Sequence, residues 1–171
     1  KQLPDLIVVG ITGSSGKTTT KDLLSSILSS RASCVATKAS FNNELGAPIT
    51  LLECDVDTKY CILEMGARHQ GDIAALCDMA QPNVGVVLRV GTAHLGEFGS
   101  VEKIAQTKGE LIQSLKPEAI AVLGTYDLHT KAMNTLHSGR VIYFGEGAQD
   151  DVRAADIEMR EARPDFDLVT P

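Results

Sequence analysis

The stretch VVGITGSSGKTTTKDLL, Val8 to Leu24, decides how this chain is read. An apolar run rich in β-branched residues passes into a Gly/Ser loop, a lysine and three threonines, and then into helix-forming sequence. Strand, loop and helix in that order are the context a phosphate-binding loop requires. Glycines let successive backbone N–H groups turn inward, and the helix amino terminus adds the positive end of its dipole, so the loop forms a nest for anions. Lys17 then reaches the β and γ phosphates, and the Thr18 hydroxyl is offered to Mg²⁺. The plainer alternative is a Gly/Ser turn that caps a helix. The spacing departs from G-x-x-x-x-G-K-[ST], which would put glycine at position 11. Ile11 stands there, between Gly10 and Gly13.

Outward from this loop, similar apolar runs recur at 33–37, 60–65, 84–90, 119–124 and 140–145, after the first at 6–11. Helix-like segments lie between most of them, at 17–29, 46–53, 71–80, 100–115 and 127–137. The alternation predicts an α/β fold, a mostly parallel sheet with helices on both faces, and near-continuous apolar strands are what such a sheet needs. Functional side chains should gather at the carboxyl ends of the strands. From Asp151 onward polar and apolar residues alternate around ARPD, which predicts a small antiparallel hairpin at the carboxy-terminal end.

At 171 residues the chain has the length of one domain with its own core. No apolar run approaches the ~18 residues of a membrane span, and the start lacks the features of a secretory signal, so the expected setting is the cytoplasm, away from membrane. A net charge of −6 without a basic cluster argues against nucleic acid as a partner. Cys34, Cys54, Cys61 and Cys77 have no metal-ligand or CxxC spacing and read as free thiols.

Further residues would complete a site. Glu64 ends the strand-like YCILE, where a carboxylate beside a phosphate loop suits a hard cation; a capping or ion-paired glutamate is the competing reading. His94 follows another strand end in a glycine-rich loop and stands out by position only. Lys108 falls inside the apolar stripe Val101, Ile104, Ala105, Leu111, Ile112 and Leu115 of a predicted helix. A lysine there needs a partner, snorkels to water or is chemically altered. Gly109 beside it suggests close approach by another element. Asn42 and Asn43 are either turn formers or donors facing a substrate.

The blocks GITGSSGKTTTKDLL, SFNNELGAPITLL, LEMGARHQGDIA and AHLGEFGSVEKIAQTKGELI, in this order over roughly residues 8–115, resemble the central ATP-binding domain of the Mur ligase family. Within that family they are most similar to the branch that joins D-alanyl-D-alanine to UDP-muramoyl-tripeptide. The resemblance implies an ATP-dependent carboxylate–amine ligase of peptidoglycan synthesis working through an acyl phosphate, with two Mg²⁺ ions and small-molecule substrates, as a monomer. It implies that Gly13, Ser14, Ser15, Gly16, Lys17, Thr18 and Thr19 cradle ATP, and that Thr18 and Glu64 hold one Mg²⁺. His94 would help hold the second, Lys108 would serve as a carbamate ligand, and Asn42 and Asn43 would line the muramoyl-peptide side. Lys17, His94 and Lys108 would thus carry catalysis. Residues 1–171 would be one domain, with a UDP-gripping domain before it and a further domain after it. Two positions depart from the pattern: Arg89 stands where asparagine is usual, and GTYD, Gly124 to Asp127, replaces an NADD-like turn. A folylpolyglutamate-type ligase and a nucleotide-dependent switch module are the competing functions.

Overall fold

The computed structural model describes residues 3–38, 46–93, 95–161 and 163–171. The apolar runs form strands of one eight-stranded sheet. Six of them, β1 (Ile7–Thr12), β2 (Cys34–Ala36), β3 (Tyr60–Glu64), β4 (Val84–Val87), β5 (Ile120–Gly124) and β6 (Arg140–Gly145), run parallel. The tail forms the expected hairpin of β7 (Val152–Arg160) and β8 (Arg163–Val169), and β7 joins β6 in parallel through Phe144–Val152 and Gly145–Arg153. The hairpin therefore extends the main sheet, in the order β2-β3-β1-β4-β5-β6-β7-β8.

The helices are α1 (Lys17–Ser29), α2 (Gly46–Leu52), α3 (Asp72–Ala80), α4 (Leu95–Phe98), α5 (Val101–Gln113) and α6 (Leu128–Ala132), with a 3₁₀ turn over Met133–Leu136. Parallel crossovers are right-handed, so the direction of each step across the sheet selects the face its helix covers. The step from β1 to β2 runs one way, and those from β3 to β4 and from β4 to β5 run the other way. Accordingly Leu24 and Leu28 of α1 pack on Val9, Ile11 and Ile62, whereas α3 and α5 pack Ile73, Leu76, Leu111 and Ile112 with Val8, Leu63 and Val87 on the opposite face. Strand β1 sits where the connections diverge, and it is beyond the carboxyl ends of the strands at such a place that open α/β sheets bind their ligands.

Element boundaries differ from the sequence reading at particular places. Strand β4 stops at Val87 rather than at Val90, because the backbone of residues 89–91 bonds to loops instead of to a neighbouring strand. The helix expected over 127–137 is α-helical only to Ala132 and then tightens into the 3₁₀ turn. The one-turn α4 was not anticipated, since Gly96 and Gly99 dilute its helical signal.

The packing of α5 accounts for Gly109. A Cβ there would come 3.0 Å from Leu136 Cδ1, so the absent side chain admits the 3₁₀ turn against α5. Residues Thr107 to Ile112 are all buried, enclosed by sheet, α3 and this turn. The free thiols Cys54, Cys61 and Cys77 are buried and Cys34 is half-buried. Burial pushes the Cys77 thiol up to about 12 and that of Cys61 higher still, so both remain neutral packing groups.

Candidate phosphate-binding site

The loop from Gly13 to Gly16 joins β1 to α1 with the geometry its glycines permit. Gly16, the residue before α1, has φ 84°, a left-handed conformation that glycine adopts without steric cost. Lys17 opens the helix and its ammonium donates to the Gly13 carbonyl at 3.1 Å, curling back over the loop. Ser15, Gly16, Thr18 and Thr19 lie on the exposed side, Ser14 and Lys17 are half-buried, and Gly13 is buried.

The Thr18 hydroxyl donates to Glu64 Oε2 at 2.8 Å, joining the loop to the end of β3. Glu64 is only 2% exposed, and its backbone N–H donates to the Thr37 hydroxyl at 3.1 Å. Thr37 in turn donates to the Ile62 carbonyl, while its own carbonyl accepts from the buried Lys21 ammonium at 2.7 Å. A hydroxyl and a carboxylate held together beside an anion nest are the hard oxygen donors that Mg²⁺ selects, and so the residues present fit that ion. Among the described residues no three His, Cys, Asp or Glu side chains converge to hold a metal.

On the other flank of β1 the loop is tied to the end of β4. Ser14 N–H donates to the Arg89 carbonyl at 2.9 Å, and the Ser14 hydroxyl accepts from Gly91 N–H at 2.9 Å. Asp127 Oδ2 accepts from Val90 N–H at 2.9 Å and from the Thr130 hydroxyl at 2.8 Å, and Asp127 Oδ1 caps α6 through Thr130 N–H. The departures noted at Arg89 and GTYD thus leave a connected loop system. A Cβ at Gly124 would fall on the Leu88 carbonyl oxygen, so glycine permits the close approach of β4 and β5.

Lys108 sits on α5 at 7% exposure and has no hydrogen-bond or ion-pair partner among the described residues. Burial first, and the positive charge of Lys17 second, lower its pKa from 10.5 to about 8. Of the sequence alternatives for Lys108, pairing finds no partner among the described residues, and the residue is buried and close enough to Lys17 to feel its charge. Two residues on, Glu110 accepts from Gly71 N–H at 2.7 Å and from Ala74 N–H at 3.1 Å, capping α3.

The structure therefore brings together Gly13, Ser14, Gly16, Lys17, Thr18 and Glu64, with Lys108 on the far face of β1. His94, Asn42 and Asn43 lie outside the described residues. Sequence reading missed Glu110, Thr37 and Asp127. Asp127 carried a usable signal, an Asp directly before a helix with a threonine three residues on. Glu110 carried a weaker one, a second charge on the buried part of α5.

Fold and loop define an α/β domain of the phosphate-loop class. The Mur ligase middle domain matches residues 11–171, and the chain belongs to that family. The UDP-N-acetylmuramoyl-tripeptide--D-alanyl-D-alanine ligase of Mycobacterium tuberculosis is 51% identical over 164 residues, covering 95% of this chain and 32% of that protein. A crystal structure of MurF from Acinetobacter baumannii superposes with a TM-score of 0.93 at 39% identity, over 99% of this chain and 37% of that one. The MurF ligase of Thermotoga maritima in complex with ADP gives 0.86 at 37% identity, over 96% and 38% of the two chains. The chain thus spans about a third of the length of the curated relatives it matches.

Proposed function

We propose that this chain is the ATP-binding domain of a ligase that joins D-alanyl-D-alanine to UDP-N-acetylmuramoyl-tripeptide in peptidoglycan precursor synthesis. The observation that carries the reading is the Thr18–Glu64 contact of 2.8 Å beside the loop lysine. It is supported by the identity to the mycobacterial ligase and by the fold shared with a MurF ligase that binds ADP. The protein acts on small molecules as a cytoplasmic monomer, and the domains that grip the UDP substrate and complete the enzyme belong to the remaining length seen in its relatives.

In this reaction the tripeptide carboxylate attacks the γ-phosphorus of ATP, and ADP leaves with the bridging electron pair. The D-alanyl-D-alanine amine then attacks the acyl phosphate carbonyl, and phosphate leaves. Gly13, Ser14, Ser15, Gly16 and Thr19 present the loop to the phosphates, with Ser14 keeping it docked on residues 89–91. Lys17 leaves the Gly13 carbonyl to meet charge developing on the transferred group, which is most of what a protein supplies to phosphoryl transfer. Thr18 and Glu64 would hold one Mg²⁺, and His94 with Lys108 a second; such ions would supply neutralisation of phosphate charge. Asn42 and Asn43 line the muramoyl-peptide side.

Lys108 enters this scheme as an N-carbamate. With its pKa near 8, a usable fraction of the amine is neutral at physiological pH and nucleophilic toward CO₂. Addition converts an unpaired cation close to Lys17 into an anion, which removes a repulsion and provides oxygen for a metal. The test is Lys108→Ala in the full-length ligase, which should lose most activity and recover part of it with a short carboxylic acid in the buffer. Unaltered activity would remove Lys108 from the metal site.

A further inference from the structure

Thr12 is fully buried, and its hydroxyl is the one buried side-chain oxygen or nitrogen with no hydrogen-bond partner among the described residues. The last residue of β1, it adjoins the phosphate loop. Leaving a buried hydroxyl unpaired is costly, whereas a methyl of the same shape at that place would not be. Packing alone therefore favours valine here, and the hydroxyl calls for a partner that none of the described residues supplies.

The register identifies where that partner lies. Side chains alternate along a strand, so Thr12 shares a face with Gly10, whose missing Cβ would meet Leu111 Cδ1 at 3.1 Å. Gly85, paired with Gly10, is covered by both Leu115 and Leu111. As the connection between the parallel strands β4 and β5, helix α5 runs antiparallel to them along this face and lies over Gly10 and Gly85 through Leu111 and Leu115. Lys108, one turn before Leu111, is the next residue on that stripe toward the carboxyl end of β1, where Thr12 is the next residue after Gly10. The Thr12 hydroxyl and the buried Lys108, neither with a partner among the described residues, thus belong to the same side of the sheet. Thr18 and Glu64 lie on the α1 side.

We propose that the Thr12 hydroxyl is a binding group for the Lys108 carbamate, donating a hydrogen bond to one of its oxygens. The inference rests on the carbamate reading of Lys108. In that step the neutral amine nitrogen attacks the carbon of CO₂, one C=O π pair moves onto oxygen, and an N–H proton is lost to solvent, leaving a carboxylate on nitrogen. The unmodified ammonium has donors only and leaves the Thr12 proton without an acceptor. The carbamate supplies that acceptor, and Thr12 selects the modified form over the ammonium.

The experiment compares the full-length ligase with Thr12→Val and Thr12→Ser, each equilibrated with ¹³C-bicarbonate, reading carbamate occupancy by ¹³C NMR at subsaturating CO₂. Thr12→Val should need about tenfold more CO₂ for the same occupancy, the size expected for loss of one hydrogen bond to a charged group. Thr12→Ser should stay close to the parent. In CO₂-free buffer the thermal midpoint of Thr12→Val should equal or exceed that of the parent. Equal occupancy in Thr12→Val and parent would overturn the proposal, and so would a lowered midpoint of Thr12→Val without CO₂, which would give the hydroxyl a role in the resting fold. Absence of any carbamate signal in the parent would overturn the reading of Lys108 itself, and with it this inference.

Discussion

Replacing Lys108 by methionine, a side chain of similar length without charge, should stabilise the protein while removing its activity. A fall in pKa from 10.5 to about 8 corresponds to roughly 3 kcal/mol of penalty for holding the ammonium in the fold. The folded-state value lies below the unfolded one, so the penalty is present in full below about pH 8, where both states carry the proton. Between about pH 8 and 10.5 the folded protein releases it first and the penalty shrinks, and above 10.5 both states are neutral and it is gone. Urea unfolding in CO₂-free buffer reads this directly. With a slope of about 2 kcal/mol per molar for a domain of this size, Lys108→Met should raise the midpoint by about 1–2 M at pH 7. The gain should vanish near pH 10.5. Dissolved CO₂ should narrow the difference at neutral pH, because the carbamate relieves the parent. A Lys108→Met variant less stable than its parent at pH 7 would refute the reasoning, since it would mean that the amine has a partner in the fold. Stability gained at a site that needs an awkward residue is the usual form of the trade between stability and activity.

Glu110→Ala leaves two N–H groups at the start of α3 without their acceptor and should cost about 2–4 kcal/mol by thermal unfolding, with Glu110→Gln intermediate. Gly124→Ala drives a Cβ onto the Leu88 carbonyl oxygen and should cost about 1–3 kcal/mol; an unchanged melting temperature would show that β4 and β5 can separate freely. Glu64→Gln keeps the Thr18 contact but removes the charge, so calorimetry should show nucleotide affinity falling at least about tenfold with Mg²⁺ and little without it.

Much of the site was legible because local pattern and local chemistry coincide there. A nest of N–H groups needs glycine, a helix start and a lysine within a few residues, and GSSGK states all of them in order. Lys108 was legible by contradiction, a charge on an apolar stripe, and the structure sharpened it by burying the lysine with no partner among the described residues. Glu110 was hidden because its acceptor role depends on Gly71 and Ala74, separated from it by 39 and 36 residues. The Ser14 tie to Gly91 spans 77 residues and leaves no trace in the local pattern.

By itself the sequence determined the alternation of strands and helices, the phosphate loop at the first strand end, the carboxy-terminal hairpin and the family. Each follows from periodicity or from a motif contained in a short window. Only the tertiary structure decided the strand order, with β1 between β3 and β4, and hence which side chains meet across its two flanks. That order placed Glu64 against Thr18 on one face and left the Thr12 hydroxyl on the other, the α5 face, without a partner among the described residues. The reason is physical: periodicity states that a residue is buried, whereas its neighbours, and so its charge state and its missing partner, are set by right-handed crossovers that bring distant segments together.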